Sequence, residues 1–411
     1  MSKLRLVVTG LAATYPFGGV FWDYMQYFLG LHRLGHDVWY IEDTGKWCYD
    51  PRACTFVEDG SANAQYLARQ LTLLAPELRE RWFYRDPTGQ TFGRTWAEVK
   101  EFCRSADLFL HISASCWMRE EYFAAERVAF IDSDPMYTQA SILPYLDGSI
   151  SAEARTRVDM LRAHDVFFTF AENIGAPDCL IPTELFHWLP TRQPVVLDCF
   201  TPAMRPLRDR RRVLTTVASW EPTESGPVIR GVTYRGKSTE FERFLDLPAR
   251  SPLPLELALS GTIPGTRLQE HGWQVRDAYE ISHDPWIYRD YLAHSLAEWS
   301  VAKNAYVASR SGWFSCRTAC YLALGVPAIV QDTGFSTFMP SSAGLLAFTT
   351  LEEASEAIAS LLSAPEHHAR AAHTLAREYF DARLVLSRLL EQALAEQPAS
   401  VTRSSPCVSI L

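Results

Sequence analysis

No stretch of this 411-residue chain is apolar over the roughly 20 residues a bilayer-spanning helix needs, and the longest runs, such as Val326 to Val330, fall far short. No membrane span is therefore expected. The short apolar run after Lys3 and Arg5 reads as a strand before a glycine turn rather than as a secretion signal. Positive charge is also scarce: 39 Lys and Arg against 48 Asp and Glu give a formal net charge of -9, which leads us to expect no nucleic-acid partner, while leaving room for a local phosphate pocket. The nine cysteines form no disulfide ladder and no Cys-x-x-Cys knuckle, as in a reduced, cytoplasmic protein. There is no Gly-x-x-x-x-Gly-Lys-Ser/Thr loop, no complete Gly-x-Gly-x-x-Gly and no Cys/His set at metal spacing. ATPase, dinucleotide dehydrogenase and metal-site readings are set aside on that ground.

What is present points to a large α/β fold. Hydrophobic residues make up 47% and charged residues 21%, enough for a substantial core, and the length predicts two or three domains at roughly 150 residues each. Leu4 to Thr9, a turn with Gly10, Gly18 and Gly19, a helix ending at Gly35, and a strand Val38 to Ile41 make one βαβ unit. Further strands are read at 108–112, 128–131 and 166–170, with helices near 62–75, 95–105 and 152–163. After the Pro-rich basic stretch TPAMRPLRDRRR the pattern restarts: strands at 213–218, 255–259, 305–308 and 327–330, helices near 238–245, 286–300, 315–324 and 351–363. The expectation is two Rossmann-like, doubly wound domains facing a cleft. Residues 1–205 form the first and 206–375 the second, a helix at 376–397 packs back on the first domain, and 398–411 is a loose tail.

Ligands of such sheets bind beyond the strand ends. The turn Ser309-Arg310-Ser311-Gly312 before a helix has the chemistry of an anion cradle: backbone N–H groups, a helix end, the Arg310 guanidinium, the hydroxyls of Ser311 and Ser315, and a close approach at Gly312. An N-cap is the alternative reading of this turn, since Ser is a favoured capping residue.

The stretch 305–335, with its Gly-bearing turn, helix, Gly325-Val326-Pro327 step and acidic turn, resembles the donor region of GT-B glycosyltransferases. Leu31 to Val38 is similar to their Leu-x-x-x-Gly-His-x-Val step, and AENIGAPDC (171–179), LPTRQPVVLD (189–198) and VAKNAYVASRSGWFS (301–315) resemble a poorly described bacterial group within them. The resemblance implies a nucleotide-diphosphate sugar as co-substrate, no further cofactor and no metal. Donor contacts would come from Trp220, Arg235, Lys237, Ser260, Gly261, Arg310 to Ser315 (including Trp313 and Phe314), Asp332, Thr333 and Gly334. Arg310 and Lys237 would stabilise the leaving group. Tyr15, Gly18, Gly19, His111, Glu172 and Asn173 would line the acceptor side, with Asp132 and Asp134 as the general-base pair. One departure stands out: where retaining enzymes of the glycogen-synthase type carry two glutamates seven residues apart, this chain has Gly312 and Cys320. The alternatives are a nucleotide-sugar 2-epimerase of the same fold or a non-catalytic sugar-nucleotide-binding protein, and neither acceptor, sugar nor oligomeric state is legible.

Overall fold

A computed structural model describes residues 2–146, 151–220 and 226–395. The expected tail at 398–411 lies outside the described residues.

The first sheet contains β1 (Arg5–Thr9), β2 (Asp37–Asp43), β3 (Trp82–Arg85), β4 (Thr91–Gly93), β5 (Leu108–Ile112), β6 (Arg127–Asp132), β7 (Val166–Thr169) and β8 (Trp188–Pro190). Their order is β8-β7-β6-β5-β1-β2-β3-β4, parallel throughout except for the β3–β4 hairpin. The second sheet contains β9 (Leu214–Trp220), β10 (Leu255–Gly261), β11 (Gln274–Asp277), β12 (Ala297–Ser300), β13 (Ala328–Gln331) and β14 (Leu345–Phe348). It is wholly parallel, in the order β11-β10-β9-β12-β13-β14. Strand order reverses between β1 and β5 in one sheet and between β9 and β12 in the other. Crevices open at those two places.

Helix Gly18–Arg33 is apolar on nearly every face and is buried accordingly, from Phe21 to Leu31. It packs against the first sheet, against helix Pro285–Ala293 of the second domain and against the C-terminal helix Ala382–Leu394, whose Leu386 meets Gly30. Trp22 ties the domains together: its ring lies 5.4 Å from Trp286, and its Nε1–H donates to the Pro285 carbonyl at 2.9 Å. One apolar cluster consequently runs through both domains.

Two elements differ from the sequence reading. Residues 297–300 form a strand rather than the end of a helix, and 304–308 form a short helix, Asn304–Ala308, rather than a strand. Strand β12 carries Glu298 at zero exposure, balanced by Arg317 from a distant helix, so the charge that masks the strand is cancelled only in the folded chain.

His111, expected to line the acceptor side, instead sits inside β5 at 1% exposure. Its Nδ1 lies 2.9 Å from Nε2 of buried His164, whose own Nδ1–H donates to the Met160 carbonyl; His111 Nε2 accepts the Cys116 N–H. Burial pushes the His111 pKa well below its usual value, with the neighbouring His164 adding to the effect. The unfolded chain therefore binds more protons below about pH 6.5. Stability is expected to fall as pH drops below that value, and His111→Phe should flatten the slope in pH-dependent denaturant unfolding.

Candidate functional site at the domain seam

In the loop after β1 the backbone donors are taken up by the protein itself. Its Ala13 and Thr14 N–H groups, where a phosphate would bind, donate to the Glu42 carboxylate, and Ala12 N–H goes to Tyr40 Oη. Glu42 is fully buried. An internal carboxylate already fills the anion position.

The second domain differs. Helix Cys316–Ala323 points its N-terminus at the ends of β12 and β13, and Ser315 gives it no side-chain cap, so the first turn keeps its donor character. A small cleft with a cavity of about 20 Å3 lies in front, lined by Ser300, Phe314, Ser315, Arg317, Thr318 and Gln331, among others. The Thr318 hydroxyl, on a residue only 1% exposed, has no partner. Arg317 reaches Glu298 at 2.7 Å and the Val217 carbonyl at 2.8 Å; burial opposes its charge, and Glu298 outweighs that to raise its pKa. Glu298 is held in turn by Ser300, and Gln331 is fixed by Glu240, which also binds Asn304.

Across the seam from this helix stands Asp23, half-buried on helix Gly18–Arg33. Burial pushes its carboxyl up to about 7, while a hydrogen bond from the Cys316 thiol and the Arg317 charge pull the other way. Sequence reasoning missed Asp23, since it is a lone acidic residue on an otherwise apolar helix. That isolation was the available signal.

The expected anion cradle at 309–312 is occupied by the protein itself. The N–H groups of Arg310, Ser311, Gly312 and Trp313 donate to Val307 O, Tyr306 O, Thr333 O and Ser311 Oγ. Asn173 of the first domain sits on the turn, with its N–H on the Ser311 carbonyl at 3.1 Å and its side-chain amide on the Arg310 carbonyl at 2.9 Å. Gly312, at φ +75°, makes room for this contact, because a Cβ there would stand 2.6 Å from Asn173 N. Arg310 is paired with Asp178 at 2.6 Å. Asn173 and Arg310 thus belong to the domain seam. The Arg310–Asp178 pair is screened by solvent and adds little to stability. Arg310→Ala and Asp178→Ala should destabilise equally and leave nucleotide binding intact; loss of binding in Arg310→Ala alone would restore a phosphate role.

The remaining candidates separate in the same way. Asp132 is buried and saturated by Thr138, Gln139 and Thr169, with burial raising its carboxyl to about 6; Asp134 pairs with Lys303 across the seam at 3.2 Å. They do not present a free base pair to the cleft. Glu172 is salt-bridged to Arg192, with its second oxygen unpartnered. Gly18 permits close packing on Tyr288 rather than lining a pocket, since a Cβ there would lie 2.5 Å from the Tyr288 Cβ; Gly19 faces the same ring at ordinary contact distance. Ser311 and Thr333 are buried, Phe314 stacks on Phe380 at 5.1 Å, and Trp313 stacks on Tyr306 at 4.4 Å while donating to Ser133 O. Asp332 caps its own turn through Gly334 and Ser336. Ser315 lines the cleft. Trp220, with its ring 5.2 Å from Phe241, stands at the end of β9, and exposed Ser260 and Gly261 end β10. Arg235 lies on a loop fixed to helix Asn304–Ala308 by Asn304 Oδ1 and the Arg235 carbonyl, and Lys237 opens the short helix Lys237–Phe241 that follows. Tyr15 belongs to the loop after β1, with its ring 6.2 Å from that of Phe56.

No family model and no curated protein sequence matches the chain. Solved structures do. An α-glucosyltransferase bound to UDP and a 13-mer DNA is 9% identical with a TM-score of 0.59, over 96% of this chain and 100% of that one. A glycosyltransferase involved in avilamycin A biosynthesis is 12% identical with a TM-score of 0.52, over 95% and 97%. A glycosyltransferase from Rickettsia africae is 13% identical with a TM-score of 0.50, over 97% and 100%. The α-glucosyltransferase overturns the inference from net charge to no nucleic-acid partner. Its matched architecture holds DNA, and nucleic-acid binding depends on where charge is placed rather than on its sum. With two parallel doubly wound sheets and a cleft between their carboxyl ends, the chain has the GT-B fold.

Proposed function

We propose that the protein is a glycosyltransferase that moves a sugar from a nucleoside-diphosphate donor to an acceptor hydroxyl without a metal ion. The carrying observation is the uncapped N-terminus of helix Cys316–Ala323 opening on a cleft that also holds the unpartnered Thr318 hydroxyl. That combination suits a diphosphate. The helix end, with Arg235 and Lys237 nearby in the fold, would stabilise the negative charge that develops as the bond from the anomeric carbon to the phosphate oxygen breaks. Asp23, opposite, would take the proton of the attacking acceptor hydroxyl, giving a single displacement with inversion. The absence of a carboxylate at Gly312 and Cys320 agrees with this route. At about 20 Å3 the cavity holds little more than a water molecule, far below the roughly 300–1000 Å3 typical of small-molecule sites, so donor entry requires the domains to part and closure would then exclude water.

A thermal-shift panel of UDP, GDP and dTDP with their sugars tests the donor site. Ligand at 100 times Kd stabilises by about 2.7 kcal/mol. One nucleotide is expected to raise Tm, and Thr318→Val is expected to weaken that shift while folding normally. An unchanged shift in Thr318→Val would move the diphosphate elsewhere.

A further inference from the structure

On the face of the first domain that meets the second, the loop after β1 carries a group of aromatic rings that the core does not use. A hairpin of two three-residue strands, Cys48–Asp50 and Thr55–Val57, lies over the loop that follows β1. So short a hairpin has little stability of its own, yet this one is held from below. The buried Asn63 amide donates to the carbonyls of Ala13, at 2.7 Å, and Tyr49, at 3.0 Å, and Tyr49 N–H donates to Thr14 O at 2.9 Å. The result is a fixed cluster of Tyr15, Phe17, Tyr49 and Phe56, with ring centroids 6.2 Å apart for Tyr15–Phe56, 5.4 Å for Tyr49–Phe56 and 5.3 Å for Phe17–Tyr49. Phe56 remains 48% exposed and Trp47, at the start of the hairpin, 52%.

Apolar ring surface left open to solvent beside other half-buried rings is the kind of patch that serves binding rather than folding. Their place supports this: they lie past the carboxyl end of β1, on the side where Asp277 and Tyr279 of the second domain act electrostatically on Tyr49. We propose that this cluster is the acceptor subsite and that it takes a neutral saccharide ring, the apolar C–H face of the sugar stacking on Phe56 and Tyr49. The proposal rests on the glycosyltransferase reading above and names its acceptor class. Charge favours a sugar over a nucleic-acid strand at this patch. Residues 46–59 carry Asp50, Glu58 and Asp59 against Lys46 and Arg52, so the hairpin segment itself is net acidic, and carboxylates accept hydrogen bonds from sugar hydroxyls.

The test is binding of the full chain to an array of neutral oligosaccharides, with a 13-nucleotide thymidine strand as a second probe and the nucleotide thermal shift measured in parallel. Wild type is expected to bind at least one oligosaccharide. Phe56→Ala should weaken that binding about tenfold or more, Phe56→Trp should retain it, and both variants should keep the nucleotide shift. Failure of wild type to bind any oligosaccharide, equal binding in Phe56→Ala, or a thymidine strand whose binding Phe56→Ala abolishes would each overturn the proposal. Loss of the nucleotide shift in wild type with saccharide binding intact would instead overturn the donor reading alone.

Discussion

Replacing Asp23 by Asn is expected to lower the rate of sugar release from the donor by 10²- to 10⁴-fold, the usual contribution of a positioned general base. The readout that needs no known acceptor is slow donor hydrolysis, with water in the acceptor's place and nucleoside diphosphate followed by a coupled assay. The base must be ionised to accept a proton. With its carboxyl pushed up to about 7 by burial, the wild-type rate should therefore rise with pH through about 7 and level off above it. Asp23→Asn should lose that limb and retain nucleotide affinity, because the carboxylate lies across the seam from the diphosphate position. A variant with unchanged rate, or with the same limb, would remove Asp23 from the chemistry. Cys316→Ala offers a further check: deleting the thiol that donates to Asp23 removes an interaction that lowers its pKa, so the limb should move to higher pH.

The second large effect concerns the floor of the same cleft. Glu298, at zero exposure, is the counter-charge of Arg317, whose side chain is only 13% exposed. Glu298→Gln should cost about 3–5 kcal/mol, because it leaves a buried guanidinium without its partner. Most of that cost should return in the double variant Glu298→Gln with Arg317→Met, which removes both charges. Chemical denaturation of the two variants against wild type measures it. Equal midpoints for all three proteins would mean that solvent screens the pair and that Arg317 is free to meet a phosphate directly.

The alternation of strand and helix was legible because local periodicity and turn chemistry decide it. The βαβ opening, β5, β6, β9, β10 and the helices at 316–323 and 351–363 all follow from apolar patterns bounded by Gly and Pro. Strand β12 was illegible for an electrostatic reason: AEWS shows an acidic residue where a buried strand should be apolar, and the Arg317 that neutralises it lies on another element. The site followed the same division. The helix end at 315–318 could be read from small residues before an apolar helix, but the neighbouring turn, with equally suitable residues, proved to be filled by Asn173 and Asp178.

The sequence by itself therefore determined the two doubly wound domains and the strand ends where chemistry is possible, because periodicity and turn residues act over a few positions. Tertiary structure alone decided which of those ends stays open. Backbone donors and carboxylates are satisfied by whichever group the fold brings within hydrogen-bond distance, and Glu42, Asn173 and Asp178 reach their partners in the β1 loop and the 309–312 turn from 28 to 138 residues away. The same long-range packing set Asp23 against Cys316 and gave a lone carboxylate on an apolar helix its raised pKa.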